Sequence, residues 1–123
     1  MGCISLSNLN LEKNSMNQNA LDKIKQTVTS NPVVLYMKGT PQFPQCGFSG
    51  RAAQVLKACG VEKYVAVNVF SDQEVYDNLP FYADFPTFPQ LYVGGELIGG
   101  SDIMLAMYEQ GELQKLIATA ASH

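Results

Sequence analysis

The chain has 123 residues, with cysteines at 3, 46 and 59 and one histidine, His123. Of these, Cys46 has the setting in which a thiol does chemistry. It stands where a Gly- and Pro-containing loop, Lys38 to Gln45, enters a helix-like segment. Free backbone N–H groups and the helix dipole at such a junction favour thiolate over thiol. Lys38 adds positive charge if the loop folds back, and Gly47 lets a ligand approach the backbone closely. Read from these residues alone, Cys46 is either such a thiolate or a small inert buried residue.

Cys46 has no internal redox partner in sequence. Ser49 fills the second position of a Cys-x-x-Cys pair. Cys59 lies thirteen residues on, about 20 Å along a helix, whereas a disulfide needs Cα atoms within about 7 Å. It falls on the apolar stripe and reads as core. A second sulfur must therefore come from outside the chain. Without a usable histidine or paired ligand spacings, a metal site built by one chain alone and Ser-His-Asp catalysis are both excluded.

Two further segments carry candidate binding groups. In Phe85-Pro86-Thr87-Phe88-Pro89, Pro89 either simply opens an edge strand or forms a cis turn that offers the Phe88 backbone to a peptide-like ligand. Gly99-Gly100-Ser101-Asp102 is a glycine turn into a helix start, either a plain hairpin exit and cap or a seat for an anionic group.

The elements that must position these residues follow from periodicity. Ala20, Leu21, Ile24 and Val28 predict a helix from Asn19 that Asn31-Pro32 stops. Val33–Met37 is a near-continuous apolar run, expected as a buried central strand. Ala52, Ala53, Val55, Leu56 and Cys59 continue the helix behind Cys46, closed by Gly60. Tyr64–Val69 reads as a strand, and Ser71 with Glu74 as a capping box for a short helix ending at Leu79-Pro80. Gln90–Val93, Gly94-Gly95 and Glu96–Ile98 form a hairpin. Ser101 or Asp102 is expected to cap a helix through Tyr108, and Gly111 separates it from a last helix, Glu112–Ala121. This α-β-α-β-α-β-β-α-α order predicts an α/β protein, a four-stranded mixed sheet flanked by helices, compatible with a thioredoxin-like fold.

Composition sets the outer bounds. The chain is 46% hydrophobic and 15% charged with net charge −3, enough for a core and without the basic stripe of a nucleic-acid binder. No apolar run approaches the roughly 20 residues that span a bilayer. Met1-Gly2-Cys3 lacks the Ser or Thr an acylation signal wants, since Leu6 occupies that position. The cysteine usage suits a reducing, cytoplasmic compartment. Residues 1–16 read as a flexible tail, with Met16 an alternative start, and 17–121 as the one domain.

Lys38-Gly39-Thr40-Pro41-Gln42-Phe43-Pro44-Gln45-Cys46-Gly47-Phe48-Ser49 closely resembles the active-site loop of monothiol glutaredoxins of the CGFS class. Pro86–Val93 and Gly95–Ile103 agree with the same family, and the similarity spans about residues 17–119. The resemblance implies a thioredoxin-like fold that binds glutathione through Lys38, Cys46, Phe48, Thr87, Phe88, Pro89, Gly100, Ser101 and Asp102. Cys46 would carry the reactive or iron-binding sulfur, and Lys38 would meet the glycine carboxylate. Phe88 would pair with the cysteinyl backbone, Ser101 and Asp102 would hold the γ-glutamyl end, and Pro89 would be cis.

The family assembles a [2Fe–2S] cluster in a homodimer, delivers it to iron–sulfur recipient proteins and pairs with BolA-like proteins. Because such a cluster usually takes four thiolates, one per chain plus two glutathiones completes the set. The other activity implied is at most a weak glutathione-dependent oxidoreductase, removing glutathione from mixed disulfides. Four positions depart from the family: Phe85 stands where Trp is usual, Ser101 where Cys is frequent, and Tyr76 and Phe81 where Arg and Lys commonly lie near the glutathione carboxylate.

Overall fold

The computed structural model describes residues 18–61 and 63–121. The proposed tail, Cys3 and His123 lie outside them. Helix α1, Gln18–Ser30, leads into β1, Val33–Met37; α2, Gly47–Ala58, follows the cysteine loop, and β2 is Val65–Asn68. A 3-10 turn, Val69–Ser71, precedes α3, Gln73–Tyr82; then come β3, Gln90–Val93, β4, Glu96–Gly99, α4, Ser101–Glu109, and α5, Glu112–Ala121.

The four strands lie in the order β2-β1-β3-β4. β1 runs parallel to β2 and antiparallel to β3, and β3 and β4 form an antiparallel hairpin. This is the mixed sheet that the order of elements predicts. Every residue of β1 is buried, and the period of two divides them between two cores. Val33, Leu35 and Met37 pack with Ala52, Val55 and Leu56 of α2, Met104 of α4 and Leu113 and Ile117 of α5. Val34 and Tyr36 face the other way, onto Ile24 and Val28 of α1 and Val75 and Leu79 of α3. With helices on both faces, β1 has no wet side, which is why its sequence shows no polar alternation.

Local boundaries depart from expectation in β2, α3 and α4. The strand expected over Tyr64–Val69 is shorter, because Val69 turns into the 3-10 segment. Asp72, not Ser71, caps α3: its carboxylate accepts the Val75 N–H at 3.3 Å and is held from outside by Lys23 of α1. The helix also continues two residues past Pro80, since a proline this near the C-terminal end forfeits only the ladder bond to the Tyr76 carbonyl. Finally, α4 is capped by Gly100 without a side-chain bond, so Ser101 and Asp102 belong to its first turn. The end of α2 behaves as its glycine predicts. Gly60 sits at φ +81°, with the Gly60 N–H on the Lys57 carbonyl and the Val61 N–H on the Leu56 carbonyl, a Schellman ending.

Candidate functional site: a thiol beside a proline-walled cleft

The loop between β1 and α2 folds back on itself. The Gln45 N–H donates to the Lys38 carbonyl at 2.8 Å, Thr40 and Phe43 exchange backbone bonds at 3.1 and 3.2 Å, and Gly39 bridges Pro44. Gly39 makes the reversal possible: its φ is +92°, and a Cβ there would lie 2.5 Å from the Phe43 carbonyl oxygen. The loop is also pinned to the neighbouring strand. Asn68 Oδ1, at the end of β2, accepts both the Gly39 and Phe70 N–H groups at 3.0 Å.

This fold-back brings Lys38 into the surroundings of Cys46. Cys46 is the N-cap of α2, with extended backbone and its carbonyl accepting the Gly50 N–H at 3.0 Å. Its side chain makes no capping bond; N–H and O–H groups in the first turn of α2 nonetheless favour its charged form. The Cys46 thiol is held below its ordinary range chiefly by the Ser49 backbone N–H, then by the Phe48 N–H, the Ser49 hydroxyl and the Lys38 charge, against a partial desolvation that acts the other way. Ser49 itself is fully buried, and its Oγ accepts the Lys38 N–H at 2.9 Å. One hydroxyl oxygen therefore ties the end of β1 to the first turn of α2. Cys59 occupies the C-cap of the same helix, half-buried against the sheet, and burial alone pushes its thiol up. Both cysteines are free thiols.

Beside Cys46 opens a cleft of about 580 Å³, within the roughly 300–1,000 Å³ range of small-ligand sites. Lys38, Cys46, Phe48, Thr87, Phe88, Pro89, Gly100, Ser101 and Asp102 all line it, joined by Tyr76, Pro80, Phe85, Pro86 and Ile103. The structure thus gathers all nine residues that the resemblance implies for glutathione into one depression. The Phe88-Pro89 peptide bond is cis. Lys38 is the one cationic side chain among the lining residues and Asp102 the one anionic; Asp102 also lies 3.6 Å from Arg51.

The two positions of aromatic departure separate here. Tyr76 faces the cleft, stacked on Phe70 at 6.0 Å and tilted against Phe88 at 5.4 Å. Phe81 is exposed and is not among the lining residues. Sequence reasoning treated Ser49 only as a missing cysteine and passed over Asn68 altogether. Ser49 had a signal in its place one turn beyond Cys46, and Asn68 in being a poor strand former at a strand end.

The mixed sheet with its flanking helices is that of the thioredoxin-like class. A glutaredoxin family profile matches residues 33–98. "Glutaredoxin 4" of Escherichia coli (strain K12) is 49% identical over 102 residues, covering 83% of this chain and 88% of that protein. "Glutaredoxin 4" of Pasteurella multocida (strain Pm70) is 51% identical over the same share of this chain and 93% of its own. Among solved structures, reduced apo GrxS14 of poplar matches with 43% identity and a TM-score of 0.69, over 86% of this chain and 94% of that one. The holo form of glutaredoxin C1 from Populus tremula x tremuloides matches with 28% identity and a TM-score of 0.76, over 86% and 93%. The chain belongs to the glutaredoxin family, and its Cys46-Gly47-Phe48-Ser49 motif is that of the monothiol class.

Proposed function

We propose that this glutaredoxin binds glutathione in the cleft and carries a [2Fe–2S] cluster between two copies of itself, for delivery to recipient proteins in the cytoplasm. The observation that carries this reading is a single thiolate-prone sulfur, Cys46, at the mouth of a cleft furnished with one cation and one anion. Among the described residues no group of three or more His, Cys, Asp or Glu side chains is arranged to hold a metal ion. A four-thiolate centre therefore needs sulfurs beyond this chain's, and glutathione supplies one when bound.

The residues present suit that tripeptide. Lys38 meets its glycine carboxylate, the Phe88 backbone pairs with its cysteinyl unit, and Ser101 and Asp102 receive the γ-glutamyl end, with Phe48, Thr87, Pro89 and Gly100 closing the walls. Cys46 contributes its thiolate, which the Ser49 and Phe48 N–H groups stabilise. The holo state of a relative with this fold supports the reading, which extends to docking of a BolA-like partner at the same sulfur. No helix among the described residues is long and apolar enough to cross a membrane.

The lowered Cys46 thiol also favours a second activity. Its thiolate would attack the glutathione sulfur of a mixed disulfide, release the substrate as its thiolate, and await a second glutathione. Reconstitution with iron, sulfide and glutathione separates the two. A visible-absorbing dimer that needs both glutathione and Cys46 is expected; one that persists in Cys46→Ser refutes the carrier role. Rapid turnover of a small glutathione mixed disulfide would favour the second activity.

A further inference from the structure

β3 opens on a residue that its surroundings do not invite. Gln90 is fully buried, in a strand whose other three residues are Leu, Tyr and Val. A buried carboxamide is tolerated only when its polar atoms are satisfied. Here its side-chain nitrogen donates to the Phe85 carbonyl at 2.9 Å and to the Thr87 carbonyl at 3.2 Å. Its oxygen accepts the Tyr92 hydroxyl at 2.9 Å. Tyr92 is itself buried, edge-on to Tyr36 at 5.7 Å and tilted against Tyr82 at 6.1 Å. Burial pushes its phenol well up, so it stays a donor and fixes which way the Gln90 amide points.

The two carbonyls are the consequential part. Phe85 to Pro89 form neither helix nor strand, yet all five residues line the cleft. Pro86 and Pro89 have no N–H to offer, so this wall has few backbone donors with which to hold itself. The Phe85 N–H reaches back to the Pro80 carbonyl at 3.0 Å; beyond that, Gln90 grips the segment from the core side. We propose that Gln90 is a positioning residue, the brace that sets the Phe85–Pro89 backbone and thereby the cleft's affinity for its thiol-peptide ligand. Its partner Tyr92 orients the brace, and neither touches the reacting sulfur. This rests on the glutathione reading above for its ligand, while the brace itself is a property of the fold.

Gln90→Glu keeps shape and removes both donors, and Tyr92→Phe removes only the orienting hydroxyl. Three measurements on the full chain decide the matter: backbone hydrogen exchange at Phe85, whose N–H is bonded to the Pro80 carbonyl, calorimetric titration with glutathione, and the pH profile of Cys46 alkylation. Expected for Gln90→Glu are exchange at this amide faster by tenfold or more and glutathione binding weaker by tenfold or more, with the Cys46 profile unmoved. Tyr92→Phe moves the first two in the same direction by less, and it carries the test if Gln90→Glu fails to fold. Unchanged exchange, or faster exchange with affinity within twofold of the parent, overturns the proposal. So does a loss of affinity accompanied by a shifted Cys46 profile, the mark of general distortion. If the parent protein binds no glutathione, the reading of the cleft fails, and the exchange comparison still decides whether Gln90 holds the wall.

Discussion

Replacing Tyr76 with arginine tests how the cleft holds a carboxylate. Among the lining residues Lys38 is the one cation, so a ligand with a terminal carboxylate has one side-chain charge to meet. Tyr76 shares that cleft, and a guanidinium in its place would add a second. A hydrogen bond to a charged group contributes about 1.5–3 kcal/mol, and about 1.4 kcal/mol is tenfold in affinity. Because the cleft is open to solvent, the lower end applies, and Tyr76→Arg should bind glutathione roughly tenfold more tightly. The same change removes two ring contacts, with Phe70 at 6.0 Å and Phe88 at 5.4 Å. At about 0.5–1.5 kcal/mol each, their loss lowers folding stability, offset by up to about 1 kcal/mol where the guanidinium stacks on Phe70. The variant should therefore melt earlier while binding better. Calorimetric titration with glutathione, and with its C-terminal amide as control, provides the assay. The gain should appear for glutathione, vanish for the amide and shrink with added salt. Equal affinities for parent and variant, or an equal gain for the amide, would refute the reasoning.

The two described thiols should part along the pH axis. Donors at the start of α2 lower Cys46, whereas burial raises Cys59. Alkylation mapped by mass spectrometry should therefore reach half its maximal rate at lower pH for Cys46, with Ser49→Ala moving the Cys46 midpoint upward; the reverse order would contradict the site as described. Gly39→Ala places a methyl 2.5 Å from the Phe43 carbonyl oxygen and 2.6 Å from the Gln45 nitrogen at φ +92°. Positive φ alone costs an alanine about 1–2 kcal/mol, so the loop should open and Cys46 should titrate nearer an ordinary thiol. A variant with the parent's melting temperature and alkylation profile would show that the reversal at Gly39 is not what brings Lys38 to the sulfur.

What was readable from sequence, and what was not, divides by the range of the deciding interaction. β1 announces itself because five consecutive apolar residues need a sheet covered on both faces. The Gly94-Gly95 turn fixes the hairpin, and Cys46 is legible because a loop with Gly and Pro must stop where a helix starts. The errors lie where two local solutions compete and a distant residue chooses. Ser71 and Asp72 are both acceptable caps; Lys23, 49 residues away, engages Asp72. The strand read through to Val69 ends at Asn68, whose Oδ1 accepts the N–H of Gly39, 29 residues earlier, as well as that of Phe70.

Ser49 shows the same limit at the site itself. Read along the chain, it is the cysteine that a dithiol pair lacks. In the fold its oxygen accepts the Lys38 N–H at 2.9 Å and its hydroxyl is among the groups that lower the Cys46 thiol, so Ser49→Cys would do more than add a thiol. Sulfur is a weak acceptor and a weak donor, and the change would loosen the joint between β1 and α2 as it created a disulfide partner. The motif's second position thus sets two properties together, the number of sulfurs and the firmness with which the remaining one is held.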